Sequence, residues 1–158
     1  MSFDIAFTHL KDKGFADMVY TFDVSSATVE LAAQALGCEP ARIAKTLAFV
    51  HQEGCLLLVA AGDARIDNAK FKAFFGHKAT MLPAEEVLRQ IGHAVGGVCP
   101  FGIPASIPVY LDRSLLRFDV IFPACGSSNS AVRLTPQQLE TAVGTSEWID
   151  VCKGWQQE

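Results

Sequence analysis

No apolar run in the chain approaches the ~18 residues that cross a membrane as a helix. The longest, running from Cys55 to Ala61, is strand-sized. The first residues, Met1, Ser2, Phe3, Asp4 and Ile5, lack the basic start and apolar stretch of a secretory signal. Charge is sparse as well, at 19% of residues against 50% hydrophobic ones, the opposite of the balance that keeps a chain disordered. Nor is there a basic excess, because 13 Lys and Arg face 17 Asp and Glu for a net charge of −4. Proteins that grip long duplexes by counterion release are normally basic, which counts against DNA binding. No C-x-x-C occurs, and no cysteine stands at zinc-ligand spacing from a histidine. Cys38, Cys55, Cys99, Cys125 and Cys152 therefore read as reduced thiols of a soluble cytoplasmic protein, most of them filling core space. The P-loop, the G-x-G-x-x-G turn, the G-x-S-x-G elbow and H-E-x-x-H are all missing. With His9, His51, His77 and His93 dispersed, no metal site is expected.

What is present is enough apolar material for one core. The 158 residues hold no internal repeat, low-complexity tract or linker, so a single domain over 1–158 is expected. Phe3, Ala6, Phe7 and Leu10 at helical spacing predict a helix over 3–13. Further helices are expected over 28–36 with Gly37 at its end, over 67–75, and over 84–91 with Glu85 and Glu86 at the positive end of its dipole. A last one is capped by Thr135, entered through Pro136 and closed by Gly144. Pro40 opens a helical turn over 41–44. Strands are expected at 18–22, 45–50, 56–61, 107–111, 120–123 and 131–134. Short loops separate several of them. A mixed α/β (α+β) domain with a curved or barrel-like, mostly antiparallel sheet flanked by helices fits this better than a doubly wound parallel one.

Three stretches could carry chemistry. Gly96, Gly97, Val98, Cys99, Pro100, Phe101 and Gly102 form a Gly/Pro-rich loop whose backbone can approach a ligand closely, binding an ester carbonyl or an amino group. The same composition also serves as a tight helix-to-strand connection. Cys99 near His93 raises the idea of a thiol nucleophile. Lys45 opens a buried strand, where an ammonium can reach a phosphate or simply sit solvated at the strand end. Between two strands, Gly126, Ser127, Ser128, Asn129 and Ser130 could orient a substrate or a water, with Ser128 and Asn129 the candidates, or act as turn formers. Residues 62–80 carry a local excess of +2 from Arg65, Lys70, Lys72 and Lys78 against Asp63 and Asp67, a modest basic face.

Taken together, these stretches resemble a known family. Val29, Glu30, Leu31, Ala32 and Ala33, then Leu36 and Gly37, then Pro40, Ala41, Arg42, Ile43, Ala44, Lys45, Thr46 and Leu47, followed by Gly62 and Asp63 and by the Gly96 to Pro100 loop, are similar to the YbaK/EbsC family. That is the superfamily of the prolyl-tRNA synthetase editing domain and its free-standing relatives, and the likeness spans about 28–139. The resemblance implies a mixed α/β domain that hydrolyses the ester joining a wrong amino acid to tRNA, acting in trans, alone or docked on an aminoacyl-tRNA synthetase. It implies that Lys45 holds the terminal adenosine's phosphate, that Gly96 offers backbone groups to the aminoacyl moiety, and that Pro100 fixes the loop. Gly97, Val98, Phe101 and Gly102 would complete the substrate-binding wall. No cofactor is called for, since an aminoacyl ester is already activated and a positioned water with oxyanion stabilisation suffices. A small pocket would select the wrong residue by the double-sieve logic of editing.

Two departures matter. Phe22 stands where some relatives carry tyrosine, with Tyr20 two residues earlier on the same expected strand face, so both are expected beside the substrate with the Tyr20 hydroxyl within reach of it. The segment from Gly126 to Ser130 lacks the Lys/Arg of the cysteinyl-tRNA-Pro deacylase branch, which points away from cysteine and toward alanine, serine, threonine or another small residue. The alternative class is a non-catalytic module that binds charged tRNA or a synthetase, which would protect the ester instead of cleaving it.

Overall fold

The fold is built around an apolar hairpin. In the computed structural model, which describes residues 2–156, β2 (Ile43–His51) and β3 (Gly54–Ala61) pair antiparallel from Ala44↔Ala61 to His51↔Gly54. Gln52 takes a positive φ of 53° in the turn between them. Every β3 residue from Cys55 to Ala61 is buried, as a strand covered on both faces must be. The sheet widens on each side of this pair. β5 (Val109–Asp112) adds parallel to β3, and β8 (Trp148–Ile149) parallel to β5. On the other side β6 (Phe122–Pro123) adds parallel to β2 at Ile43 and Ala44.

The mixed α/β class is as expected, but the sheet differs in two respects. One of its four pairings is antiparallel and three are parallel. The chain leaves β3, passes through α3 (Asn68–Phe75) and α4 (Ala84–Ile91), and returns in the same direction, as a helical crossover requires. The order β6-β2-β3-β5-β8 also leaves two edges, so the sheet is open and forms no closed barrel. Small antiparallel ladders flank it: β1 (Val19–Thr21) with β7 (Ser130–Val132), and β4 (Arg65–Ile66) with β9 (Cys152–Lys153).

Helices cover both faces. On one, Phe49, Leu56 and Leu58 pack with Phe71 of α3 and with Leu10 of α1 (Ser2–Asp12). On the other, Ala48 and Leu57 meet Val87 and Ile91 of α4. Each of these large side chains contributes roughly 1.5–3 kcal/mol by leaving water. α2 (Val29–Leu36) starts at Thr28, whose hydroxyl accepts the Leu31 N–H at 3.2 Å. α5 (Pro136–Val143) starts in a reciprocal capping box between Thr135 and Gln138. The turn expected at 41–44 is a 3-10 turn over Pro40–Arg42, after which β2 begins at Ile43. No helix among the described residues is long and apolar enough to cross a membrane.

Candidate active site

A cavity of about 360 Å³ opens beside β2. It is lined by Lys45, Thr46 and Ala48 of β2, by a strap of Ser26, Ala27 and Thr28, and by Met81, Leu82 and Val87. Gly96, Val98, Phe122, Ala124, Ser130 and Ala131 belong to the same lining. Of the residues singled out in the sequence as candidates, Lys45, Gly96, Val98 and Ser130 line this space, with Thr46 of the motif around Lys45.

Lys45 is held by backbone. Its Nζ donates to the Gly62 carbonyl at 3.4 Å and to the Ala64 carbonyl. Burial lowers its pKa, while the negative groups of Asp63 and Glu30 act the other way. Gly62 has to be glycine here, since a Cβ would lie 2.0 Å from the Pro40 carbonyl oxygen and 2.8 Å from Val29. Gly62, 17 positions beyond Lys45, thus packs against Pro40 and bonds Lys45 in one unit. Asp63 turns outward into a bidentate pair with Arg117, at 2.5 and 3.0 Å, and the Arg117 guanidinium also lies over the Phe118 and Trp155 rings.

The two loops expected to carry substrate groups pack on each other. Gly96 takes a φ of +97°, with Ala27 Cβ 3.2 Å and Ser128 Cβ 3.7 Å from where its own Cβ would sit. At Gly97 a Cβ would lie 2.7 Å from Ser127 backbone atoms, so the chains touch backbone to backbone. The 126–130 loop in turn holds the strap. Phe22 and Asn129 are joined by Phe22 N–H to Asn129 O at 2.8 Å and by Asn129 Nδ2 to Phe22 O at 3.1 Å. The Ser26 N–H donates to Ser128 O at 2.6 Å. Ser127 Oγ bonds both Asn129 Oδ1 (2.9 Å) and Ser130 Oγ (2.6 Å). Phe22, Ser128 and Asn129 hold the strap by these bonds and are not among the lining residues.

The rest of the glycine loop runs away from the cavity. Phe101 is fully buried in the core, and Pro100 is buried beside it. The Gly102 N–H donates to His9 Nδ1 at 3.1 Å, and His9 Nε2 donates to Ala142 O at 2.6 Å, tying the loop to α1 and α5. Tyr20 is 44% exposed on β1, opposite Ala131, and does not line the cavity.

Cys99 and His93 do meet, with Sγ 3.5 Å from Nε2. Both are sealed from solvent, the His93 Nε2–H is given to the Phe101 carbonyl at 2.7 Å, and burial pushes the Cys99 thiol far up. A protonated, inaccessible thiol is no nucleophile. Among the described residues, no three His, Cys, Asp or Glu side chains converge as metal ligands do.

Sequence reasoning missed Ser26, Met81 and Leu82, and named Thr46 within a motif without giving it a role. Adjacency to Lys45 could have flagged Thr46, whereas nothing local marks residues 81 and 82 as a wall. Two hydroxyls in these walls, Ser26 Oγ and Thr46 Oγ1, are buried without a hydrogen-bond partner.

Comparison with known proteins gives a consistent picture. The model of the aminoacyl-tRNA editing domain family matches residues 23–142. The chain is 50% identical to the uncharacterized protein YwhH of Bacillus subtilis, over 99% of this chain and all of that one. It is 26% identical, over 79% of its length and 77% of the relative's, to EbsC of Enterococcus faecalis, provisionally named a Cys-tRNA(Pro)/Cys-tRNA(Cys) deacylase. A crystal structure provisionally described as a trans-editing enzyme for prolyl tRNA synthetase superposes with a TM-score of 0.86 at 32% identity, covering 97% of this chain and 98% of that one.

Proposed function

Since the chain belongs to the aminoacyl-tRNA editing domain family, we propose that it is a free-standing deacylase, formed by the whole chain, that cleaves mischarged tRNA in the cytoplasm. The observation that carries this is the meeting of Lys45 and Gly96 on the walls of one small cavity. In the reaction, water oxygen adds to the ester carbonyl carbon and the bond from that carbon to the ribose oxygen breaks. The ribose oxygen takes a proton, leaving free amino acid and intact tRNA. Such an ester is activated already, so placement and stabilisation of the developing oxyanion can supply the rate.

An ammonium has three N–H donors. Lys45 gives two to the Gly62 and Ala64 carbonyls, which leaves one for the terminal phosphate of the acceptor end. Gly96, without a side chain, lets backbone approach the aminoacyl group. Its neighbours Gly97, Pro100, Phe101 and Gly102 set the loop's shape from behind. A volume of about 360 Å³ lies at the small end of ligand sites, which suits an aminoacyl group and its sugar. Alanine, serine and threonine fit such a space, and exclusion of the cognate proline, which is no larger than threonine, rests on the shape of its ring and not on size. Similarity to segments of proline–tRNA ligases, such as 29% identity over 89% of this chain and 24% of the Thermosipho melanesiensis enzyme, supports tRNA-Pro as the carrier and a synthetase as a docking partner.

The test is hydrolysis of tRNA-Pro charged with alanine, cysteine, serine or threonine, comparing wild type with Lys45→Ala. Turnover of at least one ester, lost in Lys45→Ala, is expected. Esters that survive while charged tRNA is retained on the protein would make it a binding module instead.

A further inference from the structure

Within β2, the even-numbered residues turn their backbone groups away from β3. The Ala48 carbonyl accepts the Leu82 N–H at 3.0 Å, and the Val50 N–H donates to the Thr80 carbonyl at 2.8 Å. Ala48's partner across the hairpin, Leu57, correspondingly gives its N–H to Pro108 on the far side, at 3.0 Å. Thr46 has the same parity. Its outer edge is bare among the described residues: β6 pairs with β2 only at Ile43 and Ala44, and the next pairing beyond is Phe49↔Met81. The cavity lies against this gap, with Ala124 where one flanking strand departs and Met81 and Leu82 where the other begins.

We propose that the N–H and C=O of Thr46 form the docking edge for the aminoacyl group, receiving it as a strand one residue long. The inference rests on the deacylase reading above. In an antiparallel ladder, two opposed residues exchange both N–H···O bonds. An aminoacyl ester carries the matching pair on a single residue, an α-ammonium that donates and an ester carbonyl that accepts. The gap, bounded by paired residues at 44 and 48, has room for one such residue and none for a peptide. As the carbonyl becomes an oxyanion, the bond from the Thr46 N–H strengthens, so the same contact that positions the ester also favours its cleavage.

Three measurements test this. Amide hydrogen exchange at Thr46, followed by NMR, is expected to slow at least tenfold when an amide-linked 3′-aminoacyl adenosine binds. Binding without protection at Thr46 overturns the proposal. Measured against each ester's spontaneous hydrolysis, wild type is expected to cleave propionyl-tRNA about ten- to a hundredfold less effectively than alanyl-tRNA, and equal relative rates overturn it. Replacing Thr46 with its α-hydroxy acid counterpart removes an N–H that no protein group uses. Deacylation is expected to fall about a hundredfold, with only a small drop in melting temperature because the ester also weakens the Lys45 carbonyl as an acceptor toward β3, and an unchanged rate again overturns the docking edge alone. If wild type cleaves none of these esters, the deacylase reading falls together with it.

Discussion

Gly97→Ala tests whether the fit between the two loops sets the shape of the cavity. Gly97 has no positive φ, so alanine there carries no conformational penalty and any effect comes from crowding. The added Cβ would meet Ser127 N and Cα at 2.7 Å and Ser127 C at 2.8 Å, well inside ordinary contact. All three are backbone atoms, and Ser127 is itself tied through its hydroxyl to Asn129 and Ser130, so the loops must part. Overpacking of this kind costs about 1–3 kcal/mol. At roughly 2–4 °C per kcal/mol for a chain of this size, melting should fall by about 2–12 °C. The strap hangs from the same loop, so the displacement reaches the cavity, and misplacement of about 1 Å can cost a hundredfold in rate. Gly92→Ala is the control: its φ of +90° is strained for alanine, but nothing lies within 4 Å. It should lose about 1 kcal/mol and keep its activity. The assay is thermal melting alongside initial deacylation rates. Unchanged melting in Gly97→Ala would refute the packing argument, and lowered melting with a wild-type rate would refute its link to the site.

Cys99→Ala should lower stability by about 1 kcal/mol and leave deacylation within a few-fold of wild type. A hundredfold loss of rate would restore the thiol as a nucleophile. Ser26→Ala removes a buried hydroxyl that has no partner, so urea unfolding should show stability unchanged or raised by up to about 1 kcal/mol; a loss above that would mean the hydroxyl is bonded. His93 and His51 are both held below the ordinary histidine value, mainly by burial, and His51 also by His77 at 2.9 Å. Their neutral forms therefore belong to the folded state. Their contribution is complete above the unfolded pKa of about 6.5 and is lost as pH falls below it. Urea midpoints should fall between pH 7.5 and 5.5, and flat midpoints would contradict this placement.

Helices were legible where a cap, a period and a stop coincide. Thr135, Pro136 and Gly144 bound α5, and Ala84 to Ile91 form α4 with the limits the pattern indicates. The central strand was legible too, because a run such as Cys55 to Ala61 has nowhere to go but the interior. Strand partners were not. That β5 returns parallel to β3 depends on the long crossover through α3 and α4, which no local pattern records. The two-residue strands Arg65–Ile66, Trp148–Ile149 and Cys152–Lys153 exist only because a partner pairs with them. The candidate site divides in the same way. Lys45 and Gly96 stand out by residue type, whereas the bare edge at Thr46 arises from where two other strands happen to stop.

The dispersal of the cavity walls along the chain also orders its birth. The β2–β3 hairpin closes locally and can form once the chain through Ala64 has left the ribosome, which also supplies the Gly62 and Ala64 carbonyls that hold Lys45. The strap is different, since Phe22 waits for Asn129, 107 positions downstream. Closing so long a loop is entropically costly and slow. A nascent chain emerging from the ribosome thus carries its cationic lysine long before it owns a pocket, and becomes competent to receive a substrate only after the 126–130 loop has arrived.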